Sequence, residues 1–173
     1  MRLTRYTDYA LRTLLYLGAQ DLGTGAPRQA SIGEIARAYG ISENHLTKVV
    51  HQLGRLGLVR TTRGRGGGLR LALPPGEIVI GAVVRQTEED LALVECFGSG
   101  ACAITPACRL RHVLGEALDA FLAVLDRYTL ADLLADGSAS NLMRLLGLPE
   151  GGGREGGGPE PAGHRIGLSA GDA

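Results

Sequence analysis

Cys96, Cys102 and Cys108 lie in one short stretch, with five residues between each and the next. Thiolates are soft ligands, and clustered cysteines in a reducing compartment point to metal binding or redox chemistry. The spacing is not the CxxC knuckle of a structural zinc site. Wide, equal intervals suit a loop wrapped around something larger than one ion: an iron–sulfur cluster, with zinc or copper(I) also compatible with the thiolates. Gly98, Gly100 and Ala101 are small enough for backbone N–H groups to approach such a group. Cys108 follows Thr105-Pro106, a helix start with Thr at the N-cap and Pro at the first position, so its thiolate would gain from the helix dipole. Three thiolates leave one position of a cluster for another ligand, and an incompletely thiolate-ligated iron is open to a small molecule. As buried small hydrophobes, the bland reading, the three would sit oddly in a loop of Gly and Ala.

A second set of residues could read DNA. The stretch Ser42-Glu-Asn-His-Leu-Thr-Lys48 opens a polar-faced helix. Asn44 can bond adenine bidentately, Ser42 and Lys48 can reach guanine or phosphate, and Thr47 a phosphate or a thymine methyl. His45 shares that face. Further on, Arg63-Gly-Arg-Gly-Gly-Gly68 places Arg63 and Arg65 beside Gly66 and Gly67, which permit close backbone approach to a groove. Ser31, capping the preceding helix, completes the candidate DNA contacts.

The elements that must position these residues follow from periodicity. Thr7 reads as the N-cap of a first helix carrying Ala10, Leu11, Leu14, Leu15 and Leu17, which stops at Gly18 or at the Gly23–Pro27 loop. Ser31 caps a second helix to Tyr39, with Glu34 placed for a capping box, and Gly40 ends it. Ser42 caps a third, with Leu46, Val49, Val50, Leu53 and Leu56 at helical spacing. Helix, glycine turn and polar-faced helix form a helix-turn-helix. Leu58 to Thr62 and Gly68 to Leu73 read as strands of a hairpin, the wing. A short helix is expected from Ile80 to about Thr87. From Pro106, the positions Leu110, Val113, Leu114, Ala117, Leu118, Phe121, Leu122 and Leu125 keep a 3, 4, 3, 4 spacing. That apolar face is too broad for a solvated helix and predicts packing on a twin in a homodimer. Residues Tyr128 to Leu134 continue in helical character.

Charge is divided along the chain. Its net value is +0, yet residues 1–75 hold 11 Lys and Arg against 4 Asp and Glu, a balance of +7, and the remainder holds 7 against 14, or −7. The basic half suits a phosphate backbone. The glycine run at Gly64 to Gly68 is no P-loop, since a strand rather than Lys-Ser/Thr follows it. No general-base constellation accompanies the cysteines, which argues against an enzyme. No apolar run reaches the roughly 18 residues of a membrane span, and no signal peptide is evident, so a cytoplasmic address is expected.

Beyond these readings, Arg2-Leu-Thr-Arg-Tyr-Thr-Asp-Tyr-Ala-Leu-Arg12, Ser42-Glu-Asn-His-Leu-Thr-Lys-Val-Val50, Arg63-Gly-Arg-Gly-Gly-Gly-Leu-Arg-Leu71, Leu91-Ala-Leu-Val-Glu-Cys96 and Cys102-Ala-Ile-Thr-Pro-Ala-Cys-Arg-Leu110 closely resemble the iron–sulfur winged-helix regulators. The likeness runs from about Met1 to Leu148. It implies a homodimer with one iron–sulfur cluster per subunit, 4Fe-4S ahead of 2Fe-2S. It also implies a palindromic double-stranded operator, bound until nitric oxide nitrosylates the iron. In relatives with a four-iron cluster an Asp from the first helix of the other subunit is the fourth ligand; the matching residue is Asp8, whose type would equally suit a helix N-terminus. The family's cluster-biogenesis branch places a His three residues after the last cysteine, where this chain has Arg111, with His112 one step on. That departure favours the nitric-oxide-sensing branch.

The expected fold is mainly α: a winged helix-turn-helix DNA-binding domain with a β-hairpin wing (1–75), then a cysteine loop and long dimerisation helix (76–148). A Gly- and Pro-rich tail (149–173) is expected to be disordered. The expected function is a transcriptional repressor that releases DNA when nitric oxide meets the cluster. A cluster-status or redox regulator, and a zinc-stabilised DNA-binding protein without a sensing role, remain as alternatives.

Overall fold

The computed structural model describes residues 2–24, 29–64, 67–98 and 102–148. Seven helices and one hairpin make up these residues: α1 Arg5–Thr24, α2 Ile32–Tyr39, α3 Glu43–Arg55, β1 Val59–Thr62, β2 Gly68–Leu71, α4 Ile80–Thr87, α5 Arg109–Asp126, α6 Leu130–Leu133 and α7 Ser138–Leu145. Arg65, Gly66, Gly100, Ala101 and the 149–173 tail lie outside the described residues.

Helix α2 forms as its caps dictate. The backbone N–H of Glu34 donates to the Ser31 hydroxyl, and Glu34 accepts from the N–H of Ser31, closing the capping box. Gly40 ends α2 at φ 63, a conformation that needs no Cβ. Leu46, Val49, Val50 and Leu53 then turn inward from α3 to meet Ile35 and Ala36 of α2 and Leu14 and Leu17 of α1. The winged hairpin pairs antiparallel, Val59 opposite Leu71 and Thr62 opposite Gly68. Ala30 adds a short third rung by exchanging hydrogen bonds with Leu69 at 3.0 and 2.7 Å. At the loop end of the wing, a Cβ on Gly67 would collide with the carbonyl oxygen of Thr62.

Three local expectations need correction. Helix α1 begins before Thr7, whose side chain is wholly buried. Thr4 caps it instead, its hydroxyl accepting from the N–H of Thr7 at 3.3 Å. Of the two stops expected for α1, Gly18 is passed over and the helix ends at Thr24, where the second was expected. Gly18 is there for packing, because a Cβ on it would stand 2.6 Å from Leu134 Cδ1, and α6 lies against α1 at that point. Finally, Thr105 does not cap the long helix. Residues Thr105–Ala107 form a separate 3-10 turn, and the extended backbone of Cys108 (ψ 104) interrupts it, so Cys108 is the N-cap of α5.

The later helices return to the first. Residues 78–80 and 128–130 bridge in antiparallel fashion, with Ile80 N–H donating to Tyr128 O and Leu130 N–H to Ile78 O. Thr129 and Asp132 form a second capping box that starts α6. Helix α7, not foreseen in the sequence, lies along α1 and buries Ala139 and Met143 in the common core.

Candidate cysteine segment and DNA-facing surface

Cys96 lies in a short turn, Glu95–Phe97, after α4; Cys102 is exposed; Cys108 starts α5. All three are free thiols. Cys108 occupies the N-cap position of α5, and its side chain makes no capping hydrogen bond to the first turn. The Nε–H of Arg111 donates to the carbonyl oxygen of Cys96 at 3.2 Å, tying the segment to α5. Thr105 N–H donates to the carbonyl of Cys102 at 3.0 Å, so the 3-10 turn is wound onto the same segment. Among the described residues, no three His, Cys, Asp or Glu side chains stand close enough to hold a metal ion. Three reduced thiols, one at a helix N-terminus, nevertheless form a donor set whose chemistry fits a soft-metal group such as an iron–sulfur cluster. His112, exposed on α5, lines a cleft of about 470 Å³ with Phe97, Arg111 and Glu116.

Asp8 sits in the first turn of α1, where its Oδ1 accepts from Arg12 Nε at 2.9 Å. The Arg12 guanidinium in turn lies 5.8 Å from the ring centre of Tyr39, at the end of α2. Tyr39 meets Tyr16 edge-on, and burial pushes its hydroxyl up to about 12. Asp8 is thus one end of a contact chain joining α1 to the helix-turn-helix.

The DNA-facing candidates on α3 share one exposed side: Ser42, Asn44, His45, Thr47 and Lys48 all face outward. Ser42 makes no capping hydrogen bond. The Thr47 hydroxyl donates to Glu43 O at 2.8 Å, which leaves its methyl and lone pairs for a ligand. Ser31 is exposed at the start of α2, and Arg63 is exposed at the edge of the wing. Gly67 follows the undescribed pair Arg65 and Gly66.

Two features escaped the sequence. Arg5, Tyr6 and Tyr9 of α1 line an apolar cleft of about 220 Å³ with His45, Lys48 and Val49 of α3, so the start of α1 adjoins the outward face of the third helix. Their i, i+1, i+4 spacing was the available signal. Glu88, at the end of α4, bonds Thr4 from 84 positions away, and no local pattern announces such a contact.

No helix among the described residues is long and apolar enough to cross a membrane. The Rrf2 family, described as an iron-dependent transcriptional regulator, matches residues 3–136. The transcriptional regulator NsrR of Geobacillus kaustophilus is 60% identical over 148 residues, covering 84% of this chain and 97% of the relative. NsrR of Bacillus subtilis is 51% identical over 152 residues, 87% of this chain and 100% of the relative. Among solved structures, CymR, the global cysteine regulator of B. subtilis, superposes with a TM-score of 0.61 at 28% identity, covering 77% of this chain and 95% of that one. IscR of T. potens gives 0.60 at 26% identity over 81% and 90%. These relatives are regulators and not enzymes, their likeness spans the helix-turn-helix, the wing and the cysteine segment alike, and the chain belongs to the Rrf2 family of winged-helix transcriptional regulators.

Proposed function

We propose that the chain is a repressor that binds a palindromic operator as a homodimer and senses nitric oxide through an iron–sulfur cluster, 4Fe-4S in preference to 2Fe-2S. Cys96, Cys102 and Cys108 would hold the cluster, and Asp8 of the partner subunit would supply the fourth ligand. When bound, the cluster supplies an iron without a thiolate, at which nitric oxide reacts. The observation that carries the reading is the junction at Cys108: one residue is at once a candidate thiolate and the N-cap of the 18-residue α5. Helix α5 leaves Leu110 63% and Val113 58% exposed, an apolar face suited to a second copy of the chain. The high identity to NsrR regulators adds support, as does Arg111 where the cluster-biogenesis branch carries His.

The chain's own residues then act as follows. Ser31, Ser42, Asn44, His45, Thr47 and Lys48 meet a major groove and its phosphates, while Arg63, Arg65, Gly66 and Gly67 carry the wing along the adjoining groove. Asp8 holds Arg12, and Arg12 leans on Tyr39 of the helix-turn-helix. Were Asp8 to serve as a ligand in the other subunit it would give up that bond, and its return to Arg12 would shift the population of DNA-competent orientations.

Protein purified without oxygen should be brown, carry iron and sulfide by native mass spectrometry, and release operator DNA on stoichiometric nitric oxide. Colourless, iron-free protein that holds the operator equally with and without nitric oxide would refute the reading.

A further inference from the structure

Two of the helices carry local capping boxes: in Ser31/Glu34 and in Thr129/Asp132 the acid at N3 reaches back to the N-cap. Helix α1 has the same geometry with one part missing from its own sequence. Thr4 is the N-cap, and its hydroxyl accepts from the N3 backbone N–H of Thr7, but N3 is a threonine, whose hydroxyl meets that of Thr4 at 3.3 Å and not its backbone N–H. Glu88 Oε1 takes that place, accepting from the backbone N–H of Thr4 at 2.8 Å and from its hydroxyl at 3.1 Å. The capping box of α1 is therefore split across the chain, its acid supplied by the residue that closes α4 and opens the segment leading to Cys96.

What lies on either side of the split box gives it a consequence. The turn it caps carries Arg5 and Tyr6, which with Tyr9 just beyond it line the cleft with His45, Lys48 and Val49 of α3. On the other side, Arg2, Leu3 and Glu88 share a cleft of about 360 Å³ with Asp90, Leu91, Ala92, Leu93 and Leu114, the last on α5. We propose that Glu88 is a positioning residue for the DNA-facing surface: it holds the first turn of α1 against the third helix, and links that turn to the cysteine-bearing segment. Displacing residues 88–98 withdraws the acid, frays the turn and loosens the seat of His45 and Lys48. The coupling stands on the geometry alone; only the claim that iron loading drives it rests on the proposed function.

The test uses the full chain, iron-free and iron-loaded, with Glu88→Ala, Glu88→Gln, Thr4→Val and the Thr4→Val/Glu88→Ala double variant. Amide hydrogen exchange is read at Thr4, Thr7 and Asp8, and affinity is read on the operator. Loss of a cap of this kind predicts about fivefold faster exchange in Glu88→Ala, with core amides such as Val83 unchanged. A fall of similar size is expected in operator affinity of the iron-free protein. Glu88→Gln, which keeps an acceptor oxygen, should restore most of both, and the double variant should add little to either single one. Unchanged exchange at Thr4 and Thr7 would overturn the split cap. Faster exchange with unaltered operator affinity would overturn the positioning role. Wild-type affinity indifferent to iron would instead sink the sensing reading, leaving both of these readouts to stand by themselves.

Discussion

Helices α1, α2 and α3 bury their apolar faces against one another, whereas α5 leaves its own only partly covered. Leu14, Leu17, Ile35, Leu46 and Leu53 are fully enclosed in the first region. In α5 the sole buried residue is Leu122, while Leu110, Val113 and Val124 are exposed. Both regions have helical apolar periodicity, so the pattern alone does not separate them. The difference is in what each side chain meets. The first region is completed by its own chain, whereas α5 keeps apolar side chains that no described residue of the chain encloses.

The contrast can be broken by experiment. The largest effect is expected in the closed region: Leu53→Ala should cost about 2–5 kcal/mol of unfolding free energy by denaturant titration. The same measurement on Val113→Ser should show little loss at concentrations where the protein is monomeric, with sedimentation shifted toward the monomer. Equal losses would abolish the distinction. Next, Cys108→Ser should lower iron retention by at least about tenfold while leaving the circular dichroism of the helices intact. Retained iron would remove Cys108 from the donor set. Ser31→Ala opens a capping box inside the closed region and should cost about 1 kcal/mol.

Smaller still is the effect on DNA binding of Lys48→Gln. If Lys48 meets a phosphate, the variant should reduce the slope of log affinity against log salt by about one unit. An unaltered slope would place Lys48 away from the backbone. The smallest effect concerns the seam between the regions. Arg85 makes paired hydrogen bonds to Asp126, both at 2.6 Å, joining α4 to α5. That bond holds the Asp126 carboxyl below its ordinary 3.8. Its contribution is present above that ordinary value and fades as pH falls through the lower folded one. Asp126→Asn should therefore flatten the acid limb of the stability profile slightly, and a profile identical to wild type would show the exposed pair to be inert.

Much of the helix-turn-helix was legible because its signals are local. Ser31 and Glu34 stand three apart, Gly40 supplies the left-handed turn, and Ile80 to Thr87 is bounded as its pattern suggests. Reading failed where a partner distant in sequence decides. Thr7 looked like a cap but points into the core, and the true cap, Thr4, is completed by Glu88. Gly18 looked like a helix stop, yet it is the flat spot on α1 that admits Leu134. Helix α7 has apolar residues enough to be noticed, but its place depends on the groove that α1 offers.

By itself the sequence determined the soft-ligand chemistry of the three cysteines, the polar face of the third helix and the division of basic from acidic halves, because residue type and spacing of a few positions carry them. Only the tertiary structure decided that Cys108 caps α5, that Arg5, Tyr6 and Tyr9 stand beside His45 and Lys48, and that Glu88 reaches Thr4. Each of those depends on which surfaces meet once apolar faces are buried, and hydrogen bonds across 84 positions are fixed by that packing rather than by any local propensity.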